Sequence, residues 1–243
     1  MKTSLTGLLL APLALFTLAV THAAWGDDLS PEVAAATTWF EVPWSGGTVR
    51  VAVIPPAEST SGPHPVIFAL PWGSGSEGLV EGFLASYWSH LPSLEGYYVV
   101  SPVVRGSTLE DTADEFIPAI FDWMGQELDY DQSQVALVGA SNGGGGMFHA
   151  AVAHPDRFST LVGLPGQYRG DHSALSVLLG KRVWLMVGEL DTAWREGSEA
   201  TIAVLESQGV ETKFDVVPGQ GHVLFPDPNA LLTAIDEALG RTR

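Results

Sequence analysis

Val135-Ala136-Leu137-Val138-Gly139-Ala140-Ser141-Asn142-Gly143 is the stretch on which the fold of this chain turns. Its apolar run suits a strand buried on both faces. The run passes directly into a glycine and serine turn, and the segment after it, ending at His154-Pro155, has a helical pattern. A G-x-S-x-G in a strand, sharp turn, helix context holds its serine in a strained conformation, while Gly139 and Gly143 leave room where side chains would push chain segments apart. Ser141 then projects at a helix N-terminus, where backbone N–H groups and the helix dipole favour an oxyanion. Glycine-rich turns of this kind also bind phosphate. Here neither G-x-x-x-x-G-K-S/T nor G-x-G-x-x-G fits, and no lysine lies in the turn.

Outward from that turn, short β-branched or aromatic runs alternate with longer amphipathic segments, which predicts an α/β fold with a mostly parallel central sheet and helices on both faces. Thr37 to Val42 and Thr48 to Ile54 flank Ser45-Gly46-Gly47 and read as an antiparallel hairpin at one sheet edge. Six near-continuous apolar runs read as strands buried on both faces: Pro65 to Leu70, Tyr97 to Val104, Val135 to Ala140, Thr160 to Leu164, Arg182 to Val187 and Lys213 to Val217. Ile117, Ile120, Phe121, Met124 and Leu128 form one helical stripe between them. Asp227-Pro228 opens a last helix, with an N-cap and a proline at the first helical position, that turns Leu231, Leu232, Ile235 and Leu239 inward. The longest connection, Gln167 to Lys181, is too short for a lid domain, so the expectation is one domain over 24–243 with an open site at the carboxyl ends of the strands.

A serine nucleophile needs a base, and an imidazole base needs a carboxylate to fix its tautomer and stabilise its cation. Of seven histidines, His222 is the one that follows a strand through a flexible loop, Pro218-Gly219-Gln220-Gly221, at the carboxyl edge. His64 sits at the amino end of a strand. His149 and His154 ride the helix after Ser141, and His90 and His172 lie on connections. The carboxylate is expected between Ser141 and His222 in sequence and at the end of another parallel strand. Asp191 fits, closing Trp184 to Asp191. Glu189, two residues earlier, is its rival.

These residues resemble a family, the α/β-hydrolase fold, and within it secreted esterases similar to polyhydroxyalkanoate depolymerase-like and feruloyl-esterase-like enzymes. The resemblance runs from about Pro65 to His222. It is carried by Gly139-Ala140-Ser141-Asn142-Gly143-Gly144, Ala153-His154-Pro155-Asp156-Arg157-Phe158, Gly188-Glu189-Leu190-Asp191 and Pro218-Gly219-Gln220-Gly221-His222. It implies a Ser141, Asp191, His222 triad and two-step acyl transfer without metal or cofactor, on a small-molecule or polymeric ester. Many relatives carry His-Gly after the third strand, whereas this chain has Leu70-Pro71-Trp72-Gly73-Ser74-Gly75. The Asn142 N–H is therefore the firmer oxyanion donor. Ser74 supplies the second if Trp72-Gly73 occupies the His-Gly place, and a slip of register would make it Trp72 or Gly73. The same triad also serves peptidases and amidases, and a noncatalytic binding protein on this scaffold would be expected to have lost one of its members.

Trp72 lies beside the proposed oxyanion turn and Trp194 three residues after Asp191, so both are candidate substrate contacts, with Tyr168 a candidate third wall. No H-E-x-x-H occurs, and His149 and His154, five residues apart, face different sides of a helix, so no metal site is expected. The 243 residues are 46% hydrophobic, a composition that suits a compact globular protein able to bury a core without disulfides, and cysteine is absent. Eleven basic against 28 acidic residues give a net charge of −17, which repels nucleic acid and anionic lipid. Lys2, the apolar run Leu5 to Val20 and Thr21-His22-Ala23-Ala24 read as a signal peptide over 1–23, so the mature chain is expected to be exported, to periplasm or medium, with no membrane span.

Overall fold

The protein, described here from a computed structural model, is defined for residues 31–57, 61–88, 96–104 and 109–241. The leader expected at 1–23 lies outside them. After a short helix α1 (Pro31–Ala36), β1 (Thr38–Trp44) and β2 (Gly47–Ile54) pair antiparallel from Thr38 opposite Val53 to Trp44 opposite Gly47. Pairing continues to the ends of both strands, so only Ser45-Gly46 makes the turn, one residue less than the sequence suggests.

The remaining strands are β3 (His64–Leu70), β4 (Tyr98–Pro102), β5 (Tyr130–Gly139), β6 (Thr160–Gly163), β7 (Arg182–Gly188) and β8 (Glu211–Val217). They run parallel to one another in a single eight-stranded sheet of order β1-β2-β4-β3-β5-β6-β7-β8. The other helices are α2 (Glu77–Trp88), α3 (Ala113–Glu127), α4 (Asn142–Ala153), α5 (Thr192–Ser207) and α6 (Pro228–Ala238). From β3 to β4 the chain steps toward the hairpin edge, and from β4 onward it steps the other way. Because parallel crossovers are right-handed, that reversal puts α2 on one face of the sheet and α3, α4 and α5 on the other. Every residue of β3 is buried, as a central strand covered on both faces requires.

Two strands depart from the sequence expectation for physical reasons. β5 begins five residues before Val135, because Tyr130 pairs with His64 across a register irregularity, and the polar residues between carry no apolar signal. β8 has only β7 beside it, so it is half-exposed along its length rather than buried on both faces. The helix stripes hold: Ile117, Ile120, Phe121 and Met124 are buried on α3, and the Asp227 carboxylate caps α6 by accepting from the Ala230 N–H at 2.9 Å. Residues 167–181 carry a short 3-10 helix, His172–Leu178, whose Leu175 and Leu178 enter the core. Among the described residues no helix is long and apolar enough to cross a membrane.

Candidate active site

Ser141 stands between β5 and α4 with φ 55 and ψ −116. A residue bearing a Cβ reaches such a backbone at a cost of ~1–3 kcal/mol and persists there only when its surroundings over-determine it. Here backbone determines it. The Ser141 N–H donates to the Pro165 carbonyl at 3.0 Å, the Ala140 N–H to that of Leu70 at 3.1 Å, and the Gly145 N–H to that of Ser141 at 2.9 Å. The flanking glycines serve the close approach that the sequence implies. A Cβ on Gly139 would lie 2.2 Å from the Gly143 carbonyl oxygen, and one on Gly143 would lie 2.1 Å from that of Leu70.

Asn142 is the first residue of α4, so its backbone N–H has no acceptor within the helix. Its side-chain amide donates to the Gly73 carbonyl at 3.0 Å and so ties the turn after β3 to the helix start. The Ser74 N–H belongs to that same trans peptide and points opposite to the engaged carbonyl. Trp72 and Gly73 line the cavity next to Ser141, whereas Ser74 is exposed and does not line it.

The structure brings the other two sequence candidates onto this turn. His222 Nε2 lies 2.8 Å from Ser141 Oγ, and His222 Nδ1 lies 2.5 Å from Asp191 Oδ2. The line requires the tautomer with Nδ1 protonated, which donates to Asp191 and leaves Nε2 free to accept from the serine. Asp191 sits at the N-terminal end of α5 with its side chain 12% exposed, against 36% for His222.

Glu189 does something else. Its Oε2 accepts the Gly219 N–H at 2.8 Å, which holds the base of the loop that carries His222. The Leu190 N–H donates to the Gln220 carbonyl at 2.9 Å, and the Gln220 side chain accepts the Phe225 N–H at 2.9 Å. β7 and this loop meet closely, since a Cβ on Gly188 would lie 2.1 Å from the Gly221 carbonyl oxygen.

The aromatic candidates separate. Trp72 lines the cavity and packs edge-on against Phe83 and Tyr87, with ring centroids 5.4 and 6.0 Å away. Trp194 leans on the His222 imidazole at 5.3 Å, with the Arg169 guanidinium 5.5 Å from its own ring. Tyr168 is not placed with them. It is buried against Phe148, His149 and His172, and its backbone N–H donates to Thr201 Oγ1 at 3.0 Å. Of the remaining histidines, His64 packs against Tyr98, and His154 Nε2 lies 3.1 Å from the Ala113 carbonyl oxygen. His22 and His90 fall outside the described residues.

A cavity of about 230 Å³ opens beside Ser141 and His222. Besides Trp72, its apolar walls come from Leu79 and Tyr87 on α2, Leu164 after β6 and Val223 after the histidine. None of these four is evident from sequence. Val223 adjoins a recognisable residue, but nothing in the pattern of α2 says which of its apolar residues turn toward the serine. Among the described residues no group of three histidine or acidic side chains is disposed to hold a metal ion.

The order and directions of the strands, with a strained serine between the fifth strand and its helix, define the α/β-hydrolase fold. Solved structures agree. A thermostable esterase superposes with a TM-score of 0.68 at 17% identity over 86% of this chain and 63% of its own, so this chain spans less than two thirds of that protein's length. A dienelactone hydrolase-like promiscuous phosphotriesterase from metagenomic libraries gives 0.64 at 15% identity over 84% and 99%. A puromycin-hydrolyzing peptidase of Mycobacterium tuberculosis gives 0.61 at 15% identity over 84% and 40%. No family model and no curated protein matches the sequence.

Proposed function

We propose that this protein is an exported serine hydrolase that cleaves carboxylic esters. The observation that carries the reading is the hydrogen-bonded line from Asp191 through His222 to Ser141, ending on a serine whose backbone is strained into the open. His222 Nε2 takes the Ser141 proton as Oγ attacks the ester carbonyl. The resulting oxyanion is held by the Asn142 N–H together with an N–H of the Trp72-Gly73-Ser74 turn, assigned to Ser74 from the sequence. The intermediate collapses, the alcohol leaves with the proton from Nε2, and the acyl group stays on Ser141. A water then gives its proton to His222, attacks the acyl carbon, and the second collapse frees the acid and returns the proton to Ser141. Asp191 stays ionised throughout and stabilises the imidazolium. These steps call on no cofactor.

Two features support an ester over a peptide. The cavity walls carry no acidic side chain to receive a substrate's amino terminus, and apolar side chains make up most of the lining. The names of the structural neighbours include both esterases and peptidases, so the fold by itself does not separate the two. Kinship with polyhydroxyalkanoate depolymerase-like and feruloyl-esterase-like enzymes rests on the sequence motifs, and export to periplasm or medium rests on the leader at 1–23. The test is covalent labelling of the intact protein with a fluorophosphonate probe. Stoichiometric modification of Ser141, abolished in Ser141→Ala, is the expected result, and a folded protein that resists the probe overturns the reading.

A further inference from the structure

We infer that the cavity beside Ser141 is an acyl pocket that selects esters of compact, uncharged acyl groups and closes on Tyr87. The inference rests on the serine-hydrolase reading and adds to it which part of the substrate is recognised and how large it can be.

The chemistry of the walls sets the charge. Trp72, Leu79, Leu164 and Val223 offer only apolar surface or an indole, and the Tyr87 hydroxyl is engaged by the Leu224 backbone. A carboxylate or ammonium on the acyl chain would lose water there and find no charged side chain on these walls to pair with. The size follows from the volume. At about 30 Å³ for each small group, 230 Å³ holds about eight heavy atoms.

The aromatic wall is fixed. Tyr87 is 2% exposed, and Phe83 and Trp72 brace its ring at 5.1 and 6.0 Å. A longer chain would have to displace that braced ring.

The order of the reaction assigns the pocket to the acyl group rather than the alcohol. The alcohol must depart and a water must enter past His222 before the second step, whereas the acyl group remains bound to Ser141 through both. A group that stays through both steps can fill a half-closed cavity without blocking the release of the alcohol or the entry of the water.

The experiment is a chain-length series of p-nitrophenyl esters from acetyl to hexadecanoyl, with the p-nitrophenyl monoester of adipic acid beside the hexanoyl ester, and an alcohol-length series on a fixed butyryl group. The expected kcat/KM peaks between butyryl and octanoyl and falls about tenfold or more by dodecanoyl, while the adipate monoester lies about a hundredfold below hexanoate. Tyr87→Ala should raise the dodecanoyl to butyryl ratio by about tenfold. Because a buried tyrosine can be needed for folding, the half-buried Leu79→Phe gives the opposite arm, a lower octanoyl to butyryl ratio. A flat acyl profile, or selectivity that follows the alcohol, overturns the inference while probe labelling of Ser141 leaves the hydrolase standing. A folded chain that the probe does not label removes both.

Discussion

The turn that presents Ser141 and the loop that presents His222 meet at 2.8 Å, yet they are built differently. The serine turn is backbone packed against backbone. Three strand ends and the first turn of α4 approach so closely that glycine is the only residue that fits at 139 and 143. The histidine loop meets backbone closely at one place, where β7 reaches it through Gly188 and Leu190, and beyond that it is tethered by side chains, Glu189 to the Gly219 N–H and Gln220 to the Phe225 N–H, with Pro218, Gly219 and Phe225 exposed. Steric exclusion gives Ser141 a fixed place at the cost of backbone strain. Hydrogen bonds give His222 a place that a single substitution can loosen.

The largest effects should come from breaking the line that joins the two regions. Ser141→Ala should fold normally and lose ester hydrolysis by about 10⁴-fold or more, because a triad acts as a unit. Circular dichroism with kcat/KM on a short ester checks it, and near wild-type turnover would remove the mechanism. On the other side of the line, Asp191→Asn should cost about 10³–10⁴-fold, since it disturbs the tautomer that leaves Nε2 free. Glu189→Gln weakens only a tether to the loop and should cost about tenfold or less. The reverse ranking would give Glu189 the role assigned to Asp191.

The contrast in construction is tested by adding one methyl group to each region. Gly143→Ala places a Cβ 2.1 Å from the Leu70 carbonyl oxygen, in backbone that has no rotamer to yield. It should destabilise the fold by about 3 kcal/mol or more. A Cβ on Gly221 meets no atom within 4 Å, so Gly221→Ala should change stability by about 1 kcal/mol or less. Denaturant unfolding of the two variants checks this pair. Equal costs would mean that the histidine loop is as tightly packed as the serine turn.

The same contrast explains what could be read from sequence. Gly139, Ser141 and Gly143 are local and sterically forced, so their spacing carries the message. Asp191 and His222 stand out in the sequence because each follows an apolar run that reads as a strand. Glu189 looked like a second candidate acid, since only the close approach of β7 to the loop after β8 shows that its carboxylate goes to a backbone N–H. Trp72 and Trp194 sit near Ser141 and His222 for different reasons, one beside the cavity and one against the imidazole, and neighbouring sequence positions do not distinguish these places. Tyr168 was expected to wall the site from its place after β6. Its side chain turns toward α4 instead, which no periodicity reports in an irregular segment. The start of β5 and the exposure of β8 escaped for a related reason, because pairing with His64 and position at the sheet edge are properties of the whole sheet.

The smallest effect concerns the helix behind the serine turn, where the close packing of that region reaches a titratable group. His149 on α4 lies against the Tyr168 ring at 5.1 Å, and burial lowers its pKa below the usual 6.5, opposed by the nearby carboxylates of Glu110 and Asp111. The folded protein therefore binds a proton there less readily than the unfolded chain does. The stability linked to this group is complete above the unfolded pKa and is lost as pH falls through the lower folded value. His149→Gln removes the titration, so its stability should fall less than the wild type's between about pH 7.5 and about pH 5.5, as measured by denaturant midpoints at constant salt. His149 remains partly exposed, and solvent screening keeps the difference modest. A steeper loss in the variant than in the wild type would reverse the sign and show that Glu110 and Asp111 outweigh burial, so that the helix behind Ser141 is stabilised by a charged histidine rather than a neutral one.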